Sequence, residues 1–153
     1  MKRSTSFQCF IIYIFAAAAL CAAVAGCGGN KLAPLECAKY IAKALGTPQY
    51  NVQVTTSFRT AVILKLPVTT LNGARDAERT LIEHFIAYAQ ENAISDFGND
   101  SLLFHIRLDT NPDITMKWRS TTMDLKEHLA GKMSLEEFID RCQKEENWSE
   151  DFG

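Results

Sequence analysis

Three histidines, His84, His105 and His128, are the side chains best suited to acid–base catalysis or metal binding in this sequence. A neutral imidazole can accept a proton or bind a transition metal, but a metal site on one helix needs two of them about one turn apart. These three are separated by more than twenty residues each, and no HExxH, GxSxG, phosphate-loop or Gly-x-Gly-x-x-Gly pattern occurs. The sequence therefore assigns no catalytic and no metal-binding residue. It favours a protein that is not an enzyme, although a site assembled from scattered residues stays open.

A cysteine, Cys27, follows an apolar N-terminal segment at a position where its thiol could be modified. Lys2 and Arg3 precede an unbroken apolar run at residues 10–25, which is shorter than the roughly 20 residues that span a bilayer comfortably. The segment ends in Val24-Ala25-Gly26-Cys27, and this ordered pattern resembles the lipobox of bacterial lipoproteins. The resemblance covers only residues 1–27. It implies that residues 1–26 are a signal peptide and that Cys27 carries a diacylglycerol thioether and an N-acyl chain, with no other cofactor.

The implied lipid gives the protein an expected location in the cell envelope. Two or three acyl chains anchor a protein stably to a membrane. In Gram-negative lipoproteins an aspartate after the cysteine favours inner-membrane retention, so Gly28 favours the outer membrane, facing the periplasm. Residues 27–34 are then the lipidated cysteine and a short linker; residues 28–34 extend at most about 25 Å. The alternatives are an uncleaved membrane anchor, or a plain signal peptide with a chance cysteine.

Two further cysteines, Cys37 and Cys142, remain after residues 1–27 are set aside. Each lies on the apolar stripe of a predicted helix, so the two thiols could meet in the core. The compartment can be oxidising, and a disulfide would close a loop of over 100 residues. In the chain-entropy model such a loop stabilises the fold by about 4–5 kcal/mol. The alternative is two separate buried thiols that behave as small hydrophobic side chains.

Hydrophobic periodicity predicts an α+β fold for the exported domain. Helical spacing predicts a helix at residues 35–45, one of about twenty residues capped by Asn72, one at 122–130, and a last one after a capping box at Ser134. Alternation predicts strands at 50–56, 59–66, 102–108 and 114–118. The order αββαββαα indicates one two-layer domain at residues 35–143, with a four-stranded, mostly antiparallel sheet covered by helices on one face. Residues 144–153 are expected to form a flexible acidic tail.

The outward face of the predicted sheet carries the strongest functional signal. If the strands alternate as predicted, five basic or imidazole side chains emerge on it: Lys65, His105, Arg107, Lys117 and Arg119. The chain has a net charge of −2, so this cationic face is a local feature. An acidic protein segment, anionic lipid headgroups or a glycan phosphate could bind there. The alternatives are an ordinary solvated sheet face, and an acidic tail that folds back over it with Trp148 and Phe152.

The composition and charge narrow the function without identifying it. Nothing in the charge distribution has the basic footprint of a nucleic-acid binder. The leading prediction is a membrane-anchored, non-catalytic envelope lipoprotein that docks a protein partner or an envelope component. The second prediction is a small envelope hydrolase or ligand-binding protein that uses a cleft between the sheet and the helices.

Overall fold

The structure is a computed structural model that describes residues 29–67 and 69–148. The signal peptide and the lipid-carrying Cys27 predicted from the sequence lie outside the described residues. Within them the chain forms a mixed α+β fold with four α-helices and with sheets of two and five strands. In chain order the elements are β1 (Asn30–Lys31), α1 (Pro34–Leu45), β2 (Val52–Thr55), β3 (Thr60–Leu66), α2 (Leu71–Glu91), β4 (Ile94–Asp96), β5 (Ser101–Leu108), β6 (Thr115–Thr121), α3 (Thr122–Leu129), α4 (Leu135–Arg141) and β7 (Gln143–Asn147).

The larger sheet has the strand order β2-β3-β5-β6-β7. All neighbours in it are antiparallel except the central pair, β3 and β5, which is parallel. The predicted mixed fold is confirmed, and the four predicted strands form the antiparallel pairs β2–β3 and β5–β6, but the prediction of a four-stranded sheet is wrong. β7 adds a fifth strand, and β1 and β4 form a separate two-stranded sheet. The parallel pair arises because the long helix α2 connects β3 to the following strands and carries the chain back across the sheet.

The core lies between the sheet and the helices. Val62, Phe104 and Met116 are fully buried on one face of the sheet, and Phe85 of α2 packs edge-to-face on Phe104 with ring centroids 5.5 Å apart. All four helices contribute side chains to the same cluster. Every residue of the described core lies between positions 32 and 148, so a chain that begins at residue 29 keeps all of it.

Local signals explain where the helices begin. The Thr70 hydroxyl accepts a hydrogen bond from the Gly73 N–H at 3.1 Å and caps α2, so the predicted cap at Asn72 is wrong by two residues. At α4 the predicted capping box is confirmed, because the Ser134 and Glu137 side chains each bond the other's backbone N–H.

The predicted linker at residues 27–34 is wrong from Asn30 onward. Asn30–Lys31 pair with β4, and the Leu32 N–H donates to the Asp96 carbonyl at 2.8 Å. This segment is held against the domain because the apolar side chain of Leu32 is buried in the core. A side chain at Gly29 would overlap that of Ser95, so the chain is already held against β4 at this position.

The predicted acidic tail is wrong for residues 144–148. Residues up to 147 form β7, an edge strand of the main sheet, and Trp148 is buried. The Trp148 Nε1–H donates to the Thr69 carbonyl at 2.9 Å, which fixes the end of the strand. The segment is ordered because its charged side chains find partners on both faces of the sheet. Residues 149–153 lie outside the described part of the chain.

Candidate functional site

The structure brings the five predicted face residues together on the side of the sheet that points away from the helices. Lys65 lies directly opposite Arg107 in the pairing of β3 with β5. His105 lies opposite Lys117 in the pairing of β5 with β6, and Arg119 follows two residues later on the same side. The residues that alternate with them are buried beneath the helices. We call the face formed by these five residues the cationic face.

β7 neutralises one part of the cationic face. Glu145 lies opposite Lys117 in the pairing of β6 with β7. Its carboxylate accepts from the Lys117 Nζ at 3.2 Å and contacts the Arg119 Nη1 at 2.9 Å. These two cations lower the pKa of Glu145. A carboxylate on an extended strand is therefore held at this position. The predicted folding of the tail over the face is wrong for Trp148, because the segment pairs beside β6 and the Trp148 ring is buried in the core, whereas Phe152 lies outside the described residues.

The other two cations have no such counter-ion within the described residues. Lys65 and Arg107 are directly opposite each other on neighbouring strands, which lie about 4.8 Å apart in a sheet. No described carboxylate forms an ion pair with either side chain. Like charges directly opposite each other destabilise a sheet. An anion bound between Lys65 and Arg107 would relieve that repulsion.

His105 lies between these two pairs of cations. Burial, and then the charges of Lys117 and Arg107, lower the pKa of His105 to about 4. The imidazole is therefore neutral at pH 7, and its Nε2 atom is buried without a hydrogen-bond partner among the described residues. A base with such a low pKa is weak at neutral pH, so His105 suits a binding surface better than general-base catalysis.

The structure does not bring together the two cysteines that could form a disulfide. Cys37 and Cys142 are free and buried. Tyr40, about one helical turn after Cys37, packs on Tyr88 towards the end of α2 with ring centroids 5.4 Å apart, whereas Glu136 of α4, the helix that precedes Cys142, pairs with Arg79 nearer the beginning of α2. Tyr88 and Arg79 are separated by about 14 Å along the helix, while bonded cysteines need Cα atoms within about 7 Å. The disulfide prediction is therefore wrong, and the alternative of two separate buried thiols describes the structure.

A cleft between the sheet and the helices forms a second candidate region. A cavity of about 400 Å³ is lined by Arg75, Trp118, Lys144 and Glu146. Arg75 holds the Glu146 carboxylate with its Nε at 3.1 Å and its Nη2 at 2.6 Å. The Lys144 ammonium lies 4.7 Å from the centre of the Trp118 ring. The cleft therefore contains an aromatic surface and charges of both signs.

Glu78 of α2 is a buried acid that was not among the residues predicted from the sequence, although its position in the pattern could have indicated it. It is fully buried, and neither carboxylate oxygen makes a hydrogen bond of normal geometry within the described part of the chain. Burial raises the pKa of Glu78 well above its usual value. The signal was its spacing: Glu78 follows Ala74 by four residues and precedes Ile82 by four, so an acid stands on the apolar stripe of α2.

Among the described residues, no three His, Cys, Asp or Glu side chains lie close enough together to form a metal site, and none of the helices has the length and hydropathy of a membrane span. No family model, curated protein or solved structure matches the chain. Function must then be inferred from the chemistry of the cationic face and the cleft.

Proposed function

We propose that this protein is a non-catalytic envelope lipoprotein that binds an acidic segment of a partner protein on its cationic face. The observation that carries the proposal is the juxtaposition of Lys65 and Arg107 without a described counter-ion. Next to them, Glu145 bridges Lys117 and Arg119 and illustrates how an extended acidic segment would bind. The binding energy would come from charge-assisted hydrogen bonds between these cations and partner carboxylates.

A protein segment suits this face better than a lipid surface. The cationic side chains are partly buried: Lys117 keeps 27% and Arg119 39% of its side chain exposed. Leu103 lies opposite Arg119 on this face and is buried, and Ile63, opposite His105, is half-buried, so neither apolar side chain protrudes far enough for insertion into lipid. A flat layer of headgroups reaches recessed charges poorly, whereas the protruding carboxylates of an extended peptide can enter between them.

The lipid on Cys27 is the second part of the proposal and would decide where the partner is found. Only Gly28 and Gly29 separate Cys27 from Asn30, where the folded domain begins. That distance is at most about 11 Å for an extended chain. A lipid-anchored domain would thus lie against the membrane surface, and its partner would be a component of the same envelope layer. An outer-membrane position facing the periplasm remains our proposal for a Gram-negative cell.

A peptide-binding measurement tests the proposal. The probe is a labelled peptide of alternating Glu and Thr, titrated with residues 29–153 and followed by fluorescence anisotropy. The double variant Lys65→Glu/Arg107→Glu should weaken binding by at least about tenfold, since two charge-assisted contacts become repulsive. The matched control Lys43→Glu/Lys132→Glu makes the same change in net charge at exposed positions away from the cationic face.

Three results would contradict acidic-segment binding. The first is an equal loss in both double variants, because only net charge would then matter. The second is equal affinity for a peptide with Gln in place of Glu. The third is binding of anionic vesicles by the wild-type domain without measurable binding of the peptide, which would favour a lipid surface instead.

The cleft favours a second function, the binding of a small ligand between the sheet and the helices. The supporting observation is a cavity large enough for a small molecule, whose lining combines the Trp118 ring with charges of both signs. Hydrolysis has less support, because burial raises the pKa of the neighbouring Cys142 thiol to about 11 and keeps it protonated. A thermal-shift screen tests ligand binding: a true ligand of the cleft should lose its effect in Arg75→Gln and keep it in Arg79→Gln.

A further inference from the structure

The two edges of the five-stranded sheet differ in how they are protected. β7 forms one edge and carries Lys144, Glu145 and Glu146. Charged side chains on an edge strand discourage the addition of a further strand. β2 forms the other edge and has the uncharged sequence Val-Gln-Val-Thr. Only β2 therefore lacks this protection.

The outer backbone groups of β2 are available for pairing. In an antiparallel pair, alternate residues direct their N–H and C=O groups away from the neighbouring strand. Apart from the Val52 N–H, which donates to the Gln49 carbonyl, no backbone hydrogen bond outside the pairing with β3 reaches Val52–Thr55 in the described chain. A second extended strand could therefore pair with the open side of β2.

Two aromatic side chains flank this strand and project into solvent. Tyr50 lies in the 3₁₀ turn before β2 and is 76% exposed. Phe58 lies in the connection between β2 and β3 and is 96% exposed. Neither ring belongs to the described core. Large apolar side chains at both ends of one unprotected edge are typical of an interaction surface.

We propose that β2 pairs in an antiparallel arrangement with β2 of a second copy of this chain. Tyr50 precedes Val54 by four residues, and Phe58 follows it by four. An antiparallel pairing centred on Val54 therefore brings Tyr50 of one copy and Phe58 of the other to the same end of the seam. The two-fold axis through the centre repeats this contact at the other end, as in other isologous interfaces.

The size of this interface predicts a weak dimer. A buried Phe or Tyr covers about 150–250 Å², so the four rings would bury up to about 600–1,000 Å². The short strands add to this, and the total falls near the lower limit for stable protein interfaces, about 1,200 Å². We therefore expect a transient dimer that forms measurably only at high protein concentration.

The dimer would double the cationic face. Residues directly opposite each other in a sheet point to the same side, so the two copies would form one ten-stranded sheet with both cationic faces together. A partner with two acidic segments could then bind both at once and gain avidity. This consequence rests on the proposed function, whereas the dimer itself does not.

Sedimentation velocity on residues 29–153 tests the pairing, at concentrations from about 5 to about 500 µM to bracket a weak dimer. We expect a monomer–dimer equilibrium in the wild type. The double variant Tyr50→Ser/Phe58→Ser should weaken it by at least about tenfold, because both apolar anchors are lost. The matched control is Leu35→Ser/Met123→Ser, which removes side chains that are 60% and 70% exposed on α1 and α3.

A wild type that stays monomeric at every concentration overturns the proposal, and so does a dimer that both double variants weaken equally. Circular dichroism of each variant reports whether it folds. If Tyr50→Ser/Phe58→Ser fails to fold, the dimer is measured in Gln53→Lys instead. Gln53 is exposed on β2, so a lysine there would place one positive charge from each copy at the seam and should weaken the dimer. An unchanged dimer in Gln53→Lys also contradicts the pairing. The peptide-binding measurement depends on Lys65 and Arg107, which are not part of the dimer seam. Failure of the proposed dimer can therefore be distinguished from failure of the proposed acidic-segment binding.

Discussion

Arg75 of α2 binds both carboxylate oxygens of Glu146 of β7, with the shortest contact at 2.6 Å. This ion pair joins the acidic C-terminal segment to the helix layer. On the opposite side of the sheet, Glu145 of the same strand binds Lys117 and Arg119. Gln, Lys, Glu and Asn are poor strand formers by themselves. We infer that the segment forms a strand because successive carboxylates are neutralised on opposite faces.

The Glu146→Gln variant should therefore loosen β7. A partly exposed ion pair contributes about 0.5–1 kcal/mol, so we expect a decrease of that size in the free energy of unfolding. Hydrogen exchange of the β7 amides should accelerate more than that of β5. Glu136→Gln is the control, because it removes a contact of Arg79 at another place on the surface. Unchanged exchange in β7 would show that Arg75 does not hold this strand.

Glu78→Gln should stabilise the protein above pH 7. The pKa of Glu78 is higher in the folded protein than the value of 4.5 in an unfolded chain. The folded state therefore keeps a proton that the unfolded state releases, and its stability falls as pH rises from about 4.5 towards the folded pKa. A neutral amide removes that loss, and we expect a gain on the order of 1–3 kcal/mol at high pH.

Urea denaturation of wild type and Glu78→Gln at pH 5 and pH 8 measures this effect. The difference between the two proteins should be larger at pH 8. Glu83→Gln provides the control, since this side chain lies on the same helix but is only partly buried and is paired with Arg79. An equal difference at both pH values would mean that the Glu78 carboxyl group does not titrate in the folded protein as we infer.

Much of the fold follows from short-range patterns in the sequence. Alternation in β5 and β6 fixes which side chains face the helices, and the register then places Arg107 and Lys117 on the other side. The capping box at Ser134 likewise marks the start of α4. These features depend on neighbours within a few residues, and they were predicted correctly.

The features that were missed depend on contacts between distant parts of the chain. β7 needs Arg75, which precedes it by about seventy residues, so its polar sequence resembles a tail when considered alone. β1 needs β4 in the same way. Cys37 and Cys142 both lie on apolar stripes, but a stripe does not say which end of α2 each thiol approaches. That information exists only in the three-dimensional packing.

His105 should titrate with a midpoint near pH 4, measured by NMR of the imidazole nitrogens. Its folded pKa of about 4 lies below the unfolded value of 6.5, so its contribution to stability is complete above about pH 6.5 and is lost as pH falls towards 4. Lys117→Gln removes one of the neighbouring charges and should move the midpoint to between 4 and 6.5. Lys43→Gln should not move it. A midpoint near 6.5 in the wild type would mean that His105 is neither buried nor affected by the cationic face.

The two thiols should be free and slow to react. Residues 29–153 contain only Cys37 and Cys142, and burial raises their pKa values to about 12 and about 11. A thiol reagent at pH 8 should label neither quickly in the native protein and both after unfolding, because buried, protonated thiols are poor nucleophiles. Mass spectrometry without reductant, on protein isolated from cells that express the full-length chain, provides the second measurement. A mass lower by two hydrogens would show that the disulfide forms after all.

Cys27→Ser tests the proposed lipid anchor in cells. The serine hydroxyl is a much weaker nucleophile than a thiolate, so the variant should receive no diacylglycerol. In the full-length chain we expect loss of fatty-acid labelling and accumulation of an unprocessed precursor. Cys21→Ser, within the same apolar segment, is the control and should be labelled and processed like the wild type. If Cys27→Ser instead matures to a protein without acyl chains that has the same cleavage site as the wild type, the chain carries an ordinary signal peptide. The proposed lipid anchor on Cys27, and with it the position of the domain at the membrane surface, would then be wrong.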